Sequence, residues 1–117
     1  MSDPEFKVTL DEQYGKTATG TLKHGLEIAG KLETDFTMRE ALAGDMFAAE
    51  DKVGLDKPLA FSAAMIAEQL VKVGRYDMPV TYNMIKKAKP GDYALLRKAQ
   101  EALEEEGEPE QHGDQNT

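Results

Sequence analysis

Hydrophobic and polar positions alternate along the first part of the chain, with the period of a half-buried β-strand. The first alternating segment, 5–10, places three apolar side chains on one face: Phe6, Val8 and Leu10. After a polar, glycine-containing stretch over 11–20, alternation resumes at Leu26, crosses a turn over 29–31 and continues with four positions on one face: Leu32, Thr34, Phe36 and Met38. The turn formers are expected to be glycines: Gly20, Gly25 and Gly30. The pattern predicts antiparallel strands within 5–38.

Beyond residue 39 the hydrophobic period changes to that of α-helices. A first helix is predicted from about residue 43, with Asp45 in the first turn, where the helix dipole favours an anion, and with Gly54 at its end. A second helix is predicted from Pro58 to Val73, followed by Gly74 as its C-terminal cap. Because this second helix is apolar on nearly all sides, it is expected to lie centrally.

Two further helices are predicted before the chain becomes polar. Thr81 is suited to cap a short helix over 81–87, and Pro90 begins a last helix whose apolar stripe ends at Leu103. The predicted fold class is therefore α+β, with an N-terminal β-hairpin or small antiparallel sheet packed on three to four α-helices. We expect one domain over 1–106, with its helices within 43–106, and a disordered acidic tail over 107–117, which is too polar to bury itself.

The charge is distributed unevenly along the chain. Of 117 residues, 14 are basic and 22 are acidic, and the formal net charge is −8. Seven acidic residues and no lysine or arginine lie from Glu101 onward, so the first hundred residues hold 14 basic and 15 acidic groups. Neither part has the basic field that a phosphate backbone requires, so nucleic-acid binding is not expected. The acidic tail is interpreted as a solubilising segment, with ordering on a basic partner as the alternative.

The residue types offer little for catalysis. The chain has no cysteine, which excludes a disulfide, a thiolate nucleophile and a zinc ribbon, and its two histidines, His24 and His112, are too few for a histidine-based metal site or triad. Neither glycine-rich phosphate-binding spacing occurs. No enzyme activity, cofactor or metal is expected. No apolar run approaches the roughly 20 residues of a membrane span and the start lacks a leader pattern, so a cytoplasmic protein without membrane contact is expected.

Methionine is the apolar residue type that suggests a binding surface. Five internal methionines supply flexible thioethers, which suit surfaces that adapt to a partner, although ordinary core filling is the preferred interpretation. The candidate partner-binding residues lie in the second helix and after it: Phe61, Met65, Leu70, Val73, Tyr76, Met78 and Tyr82. Self-association is a further expectation for a helical protein with a partly apolar surface.

Two short motifs and their order resemble a known family. The first is Met38-Arg39-Glu40 followed by Ala43-Gly44-Asp45, and the second is Pro90-Gly91-Asp92-Tyr93 at the start of the last helix. Between them lie an alanine-rich helix ending in Val71-Lys72-Val73-Gly74 and the segment Met78-Pro79-Val80-Thr81-Tyr82. In this order, over about residues 22–103, the chain resembles the small tail assembly chaperones of contractile-tailed, Mu-like bacteriophages and prophages.

The resemblance implies a function that the composition does not. A member of this family is a non-enzymatic late protein that binds the long tape measure protein and keeps it soluble in the host bacterial cytoplasm during tail morphogenesis. Such a chaperone is expected to be absent from the mature virion. The alternative is a structural tail or baseplate component of the virion. A nucleic-acid-mimicking inhibitor is disfavoured, because the body of the chain is nearly neutral.

Overall fold

The chain forms an antiparallel sheet packed against helices. The computed structural model describes residues 6–77 and 79–105, and the predicted disordered tail over 107–117 lies outside them. Eight elements follow in chain order: β1 (Phe6–Asp11), β2 (Gly15–Ile28), β3 (Lys31–Arg39), α1 (Ala43–Val53), α2 (Pro58–Gln69), β4 (Leu70–Val73), α3 (Tyr82–Lys86) and α4 (Pro90–Glu104). The strands lie side by side in the order β1-β2-β3-β4, each antiparallel to its neighbour. The predicted α+β class is confirmed.

The β2–β3 hairpin turns where the sequence predicts. Ala29 and Gly30 both adopt positive φ, at 54° and 83°. Two consecutive residues of positive φ match the right-handed twist of the strands that they connect. Ile28 and Lys31 close the hairpin as the first paired residues.

The stretch 11–20 contains more β-strand than its polar sequence predicts. Strand β2 begins at Gly15, and Gly20 is no turn former, since it pairs with Phe6 on one side and Phe36 on the other. Two inward positions of this half of β2 are small and lie between larger residues of both neighbouring strands: Gly20 between Phe6 and Phe36, and Ala18 between Val8 and Met38. The expected alternation of large apolar residues is therefore missing, although the segment is a strand.

The second predicted helix is too long. Helix α2 ends at Gln69, and Leu70 adopts extended angles, φ −74° and ψ 118°. The next residues pair with β3, Leu70 with Met38 and Val73 with Phe36. The free edge of β3 thus outweighs the helical pattern, in line with the preference of β-branched Val73 for strands. Gly74 consequently does not cap a helix.

The remaining predicted boundaries are confirmed. Gly54 ends α1 and its N–H donates to the carbonyl of Glu50 at 2.8 Å. Thr81 caps α3, since its hydroxyl oxygen accepts the N–H of Met84 at 3.2 Å. Helix α4 begins at Pro90. Each of these boundaries follows from residues within one helical turn, which is why sequence reasoning finds them.

The main core lies between one face of the sheet and the helices. Its fully buried members come from strands and helices alike: Leu22, Leu26, Ile28, Phe36, Met38, Ile66, Val73 and Leu96. The opposite face of the sheet is polar. One row of paired residues crosses all four strands there: Lys7, Thr19, Thr37 and Lys72. The sheet therefore has one apolar and one polar face, as antiparallel sheets with a single covered side do.

Replacing Gly25 by alanine is expected to lower the free energy of unfolding by about 2 to 3 kcal/mol. Gly25 lies at the irregularity of β2, with φ 104°, and an added Cβ would meet the backbone oxygen of Glu33 at 2.8 Å. Gly30 is the matched control, because its φ is also positive, 83°, but nothing lies within 4 Å of an added Cβ. Urea denaturation should show about 1 kcal/mol for Gly30→Ala. Equal losses at both positions would refute the steric part of the explanation.

Candidate partner-binding surface

Exposed apolar side chains are concentrated on α1 and on its connection to α2. Of eight large hydrophobic residues that are exposed in the described part of the chain, five lie within residues 42–59. We call them the α1–α2 apolar surface, and their exposed fractions are Leu42 61%, Met46 50%, Phe47 67%, Leu55 65% and Leu59 73%. Large apolar side chains grouped on one supersecondary unit are typical of interaction sites.

Helix α1 exposes Met46 and Phe47 because another side of it is used for packing. Asp45 and Ala49, one turn apart, are the buried residues of α1. Successive residues of an α-helix are rotated by about 100°, so Met46 and Phe47 cannot share the buried stripe of Asp45. Ala49 instead packs with Ala64 and Met65 of α2, and the small alanines let the two helices approach closely.

The start of α2 is held by α4 while its Leu59 side chain stays outside. Pro58 occupies the first turn of α2, where its missing N–H has no helical partner. The carbonyl oxygen of Leu59 accepts the Tyr93 hydroxyl at 3.1 Å. Burial raises the pKa of Tyr93, so this hydroxyl keeps its proton and remains a donor. The backbone of Leu59 is therefore fixed and its side chain is presented to solvent.

An ion pair joins the end of β3 to the start of α1. The Arg39 guanidinium donates to both carboxylate oxygens of Asp45, Nη1 to Oδ2 at 2.7 Å and Nη2 to Oδ1 at 2.9 Å. Asp45 Oδ2 also accepts the N–H of Leu42 at 2.8 Å, and Arg39 donates to the carbonyls of Glu40 and Glu68, each at 2.9 Å. Such two-pronged charged hydrogen bonds have a defined geometry. They hold the backbone beside the first member of the apolar surface, Leu42.

The charged state of Asp45 is favoured by this arrangement. Burial raises the pKa of Asp45, but the hydrogen bonds from Arg39 and from the N–H of Leu42 outweigh burial and leave the pKa below its ordinary value. The hydrogen bond to Asp45 raises the pKa of Arg39. Both groups are therefore ionised at neutral pH and the pair persists there.

The sequence-predicted partner-binding residues do not form one exposed surface. Leu70 and Val73 are 3% and 0% exposed and belong to the main core, so they are not available to a partner in this structure. Their burial follows from β4, which places them on the apolar face of the sheet. Met65, 7% exposed, lies behind α1 in the cluster with Ala49 and Ala64.

The other predicted partner-binding residues are partly accessible. Phe61 and Tyr82 are half-buried against the cluster behind α1, and Tyr76 is half-buried against the main core. Met78 lies outside the described residues. Phe61 therefore flanks the α1–α2 apolar surface in sequence, between Leu59 and the buried part of α2, without belonging to its most exposed residues.

Some apolar residues of the α1–α2 apolar surface do not fit the hydrophobic period of a one-sided helix, which is a sign of exposure in the sequence. Met46 and Phe47 are adjacent, so at most one of them can lie near the centre of a buried helical stripe. Leu55 follows the helix-ending Gly54, where polar residues are usual. These positions are irregular for a one-sided helix, but only the packing of α1 on α2 shows which side of α1 faces solvent.

The second resemblance motif also has a structural role. The carboxylate of Asp92, 1% exposed, accepts three consecutive backbone N–H groups of β2. Its Oδ1 accepts from Lys23 at 2.8 Å, and Oδ2 accepts from His24 at 3.0 Å and from Gly25 at 2.9 Å. Asp92 thereby joins the start of α4 to the irregularity of β2. Both motifs thus contain an aspartate that connects the sheet to a helix.

The polar face of the sheet holds a shallow depression of about 770 Å³. Its polar side chains are Lys7, Thr19, Thr21, Asp35 and Thr37, and the neighbouring residues Phe6, Gly20 and Phe36, whose positions belong to the inward row, complete the lining. The Thr21 hydroxyl donates to Asp35 at 3.2 Å.

Over 6–77 and 79–105, no three of the histidine, aspartate and glutamate residues are grouped so that they could hold a metal ion. None of the described helices is long and apolar enough to cross a membrane.

Comparisons with known proteins do not assign this chain to a family. No protein-family model, no curated protein and no solved structure matches the sequence or the fold. The family expectation from the sequence therefore rests on the two motifs and on the order of segments between them. The geometry adds a surface that a partner could cover, the α1–α2 apolar surface.

Proposed function

We propose that this protein is a non-enzymatic tail assembly chaperone of a Mu-like contractile-tailed phage or prophage. It binds the tape measure protein in the host cytoplasm, keeps that protein soluble during tail morphogenesis and leaves before the virion is complete. The resemblance supports the identity of the partner. The observation that carries the binding role is the α1–α2 apolar surface, whose five residues are each at least half exposed.

The chemistry of this surface suits a long helical partner. A tape measure protein is expected to be largely helical, with apolar seams that aggregate when nothing covers them. An amphipathic helix binds by laying apolar anchors against an apolar surface. Met46 and Phe47 supply one flexible and one aromatic anchor, and the thioether of Met46 can adapt to different seam residues.

Charged side chains of both signs accompany the apolar anchors in the sequence. Glu50, Asp51 and Lys52 are exposed on α1, and Asp56 and Lys57 are exposed in the connection to α2. Charges at the rim of an interface contribute to association rate and to choice of partner more than to affinity. The bound seam is therefore expected to carry flanking charges of both signs.

The binding role predicts a large effect of Phe47→Asp combined with Leu59→Asp. The variant should reduce the amount of soluble tape measure protein by about tenfold or more on co-expression, because two desolvated anchors become charged. The measurement is the soluble fraction of the longest tail gene product from the same genomic neighbourhood, followed by pull-down from the lysate. Wild type should bring that product into solution.

Leu32→Asp is the matched control for these substitutions. Leu32 is 66% exposed, as accessible as Phe47, but lies beside the β2–β3 turn. It should behave as wild type in co-expression and pull-down. If Leu32→Asp and the Phe47/Leu59 variant lose binding equally, or if neither loses it, the α1–α2 apolar surface is not the contact site.

Purified particles test the chaperone role against the structural one. Mass spectrometry of virions should detect none of this chain if it acts as a chaperone. Stoichiometric amounts in the virion, together with a tape measure protein that stays insoluble in its presence, would favour a structural tail or baseplate component.

A further inference from the structure

Strand β1 leaves one side of the sheet open. It pairs with β2 along its whole length, Phe6 with Gly20 through Asp11 with Gly15, and it has no second neighbouring strand among the described residues. An edge strand directs every second N–H and C=O away from the sheet, where another strand can bind them. The β1–β2 pairing has no register shift, and β1 contains no proline. Two usual devices that block edge pairing are thus absent from β1.

The side chains of β1 separate by face in a way that suits continuation of the sheet. Val8 and Leu10 lie on the face that carries the core, and Leu10 is 55% exposed because no strand lies beyond it. Lys7, Thr9 and Asp11 alternate with them on the polar face and are exposed. A neighbouring strand would cover Leu10 and continue both faces.

We propose that β1 pairs antiparallel with β1 of a second copy of this chain, so that two four-stranded sheets form one continuous sheet. The twofold axis passes between the two Thr9 residues. In this register Lys7 of each copy lies opposite Asp11 of the other. Val8 of each copy lies opposite Leu10 of the other. The twofold rotation therefore places each charge of β1 opposite the opposite charge of the second copy. An isologous interface requires such self-complementarity.

The two charged residues are available for this pairing. Asp11 Oδ2 accepts the N–H groups of Gln13 and Tyr14 at 2.8 and 2.9 Å, which orients the carboxylate at the β1–β2 turn. Neither Lys7 nor Asp11 forms an ion pair within the described residues. Opposite charges directly across an antiparallel pair stabilise it, and like charges destabilise it.

Only one register combines these pairs. Side chains alternate between the two faces of a strand. One copy of β1 can therefore be shifted along the other only so that the residue opposite a given position changes by two, because a change of one would place apolar side chains on the polar face. One neighbouring register sets Val8 opposite Val8 and Lys7 opposite Thr9, and the other sets Leu10 opposite Leu10 and Thr9 opposite Asp11; neither contains the Lys7–Asp11 ion pair. Charges placed at Thr9 therefore distinguish the three registers, because Thr9→Asp would strengthen the first neighbouring register and Thr9→Lys the second. The contact is short, so the dimer is weak and depends on protein concentration.

Sedimentation velocity of the full chain over a concentration series tests the pairing. Wild type should shift from monomer to dimer with concentration. Thr9→Lys and Thr9→Asp should each weaken dimerisation about tenfold or more, because like charges then meet on the twofold axis. An equimolar mixture of the two variants should form a heterodimer at least as strong as the wild-type dimer. Stronger self-association of Thr9→Asp would instead identify the first neighbouring register, where this position faces Lys7, and stronger self-association of Thr9→Lys the second, where it faces Asp11; either result would overturn the proposed register.

A second pair of variants tests the ion pairs themselves. Lys7→Asp and Asp11→Lys should each be monomeric where wild type is dimeric, and their mixture should dimerise, since each charge of one variant then faces the opposite charge of the other. Lys72→Asp is the control, because Lys72 lies in the same polar row but on the opposite edge of the sheet, and it should dimerise as wild type does. Circular dichroism establishes that the variants are folded.

Three results would overturn the proposal. They are a wild-type monomer at every concentration, retention of the dimer in both Lys7→Asp and Thr9→Lys, and failure of both mixtures to associate. A persistent wild-type monomer would leave the edge of β1 to a strand from a different protein. The outcome is independent of tape measure binding, which the α1–α2 apolar surface carries.

Discussion

Asp92→Ala is expected to lower the free energy of unfolding by about 4 kcal/mol, a large part of the 5 to 15 kcal/mol of a typical domain. The carboxylate accepts the N–H groups of Lys23, His24 and Gly25 and is 1% exposed. Alanine would leave these donors without their acceptor; the bond from Gly25 is buried, and those from Lys23 and His24 are partly buried. A hydrogen bond to a charged group contributes about 1.5 to 3 kcal/mol, and the three bonds act together.

Urea denaturation followed by circular dichroism measures this loss. Asp92→Asn keeps one acceptor oxygen, so it should lose about half as much as alanine. Glu101→Ala on the same helix is the control, because Glu101 is an exposed partner of Arg97 at 2.8 Å and such pairs contribute at most about 1 kcal/mol. An Asp92→Ala variant within about 1 kcal/mol of wild type would show that the three N–H groups find other partners.

Asp45→Asn is expected to lower the free energy of unfolding by about 2 to 3 kcal/mol at neutral pH. The substitution removes the charge that the Arg39 guanidinium binds at 2.7 and 2.9 Å, while Arg39 remains mostly covered, with 18% of its side chain exposed. Asparagine retains one oxygen that can accept the N–H of Leu42. The loss is therefore mainly that of the ion pair.

The difference in unfolding free energy between wild type and Asp45→Asn should become smaller at low pH. The folded protein holds the pKa of Asp45 below its ordinary value, so the stabilisation is fully present above the pKa of the unfolded chain, about 3.9. It is lost as the pH falls through the still lower folded pKa. The difference between the unfolding free energies of wild type and Asp45→Asn should therefore stay constant from pH 7 down to about 3.9 and shrink as the pH falls further.

The exposed Asp51 of the same helix provides the control for this comparison. Asp51→Asn should stay within about 0.5 kcal/mol of wild type at neutral pH, as surface substitutions usually do. A gap between wild type and Asp45→Asn that is constant over the whole pH range would contradict the role of the ion pair. It would indicate instead a packing effect of the substituted side chain.

The same ion pair connects stability with the proposed binding. Asp45 holds the backbone of Leu42, and its helix carries Met46 and Phe47 on the solvent side. A surface whose backbone is fixed loses less conformational entropy when a partner covers it. Asp45→Asn is therefore expected to weaken the proposed tape measure binding less than Phe47→Asp with Leu59→Asp, because the anchors remain but become less ordered.

The two resemblance motifs have a direct structural explanation. Arg39 and Asp45 of the first motif form the ion pair at the start of α1, and Asp92 of the second binds the backbone of β2. Neither aspartate belongs to the α1–α2 apolar surface. These motifs therefore bear on the fold, and the proposed contact with a partner depends on other residues, above all Phe47.

The candidate binding site illustrates where sequence reasoning stops. The apolar segment 59–73 contains suitable side chains for a partner, yet Leu70 and Val73 are in the core. Hydrophobicity alone does not distinguish a residue that packs inside from one that contacts a partner. The most exposed anchors, Phe47 and Leu59, stand beside buried residues of the same helices. Only the packing of α1, α2 and the sheet separates the two sets.

The sequence by itself determined the elements whose boundaries depend on neighbouring residues. The turn at Ala29 and Gly30, the end of α1 at Gly54, the cap at Thr81 and the start of α4 at Pro90 all follow from backbone preferences or hydrogen bonds within a few positions. The α+β class follows from the change of hydrophobic period after residue 39. These features require no knowledge of distant contacts.

Only the tertiary structure decided the features that depend on residues far apart in the chain. Leu70–Val73 become a strand because the edge of β3 lies beside them, and Ala18 and Gly20 belong to a strand because β1 and β3 pair with them on both sides. Asp92 binds backbone groups that precede it by 67 to 69 residues. Local propensities are worth tenths of a kcal/mol per residue, whereas such pairing and burial contribute more, so the distant contacts prevail.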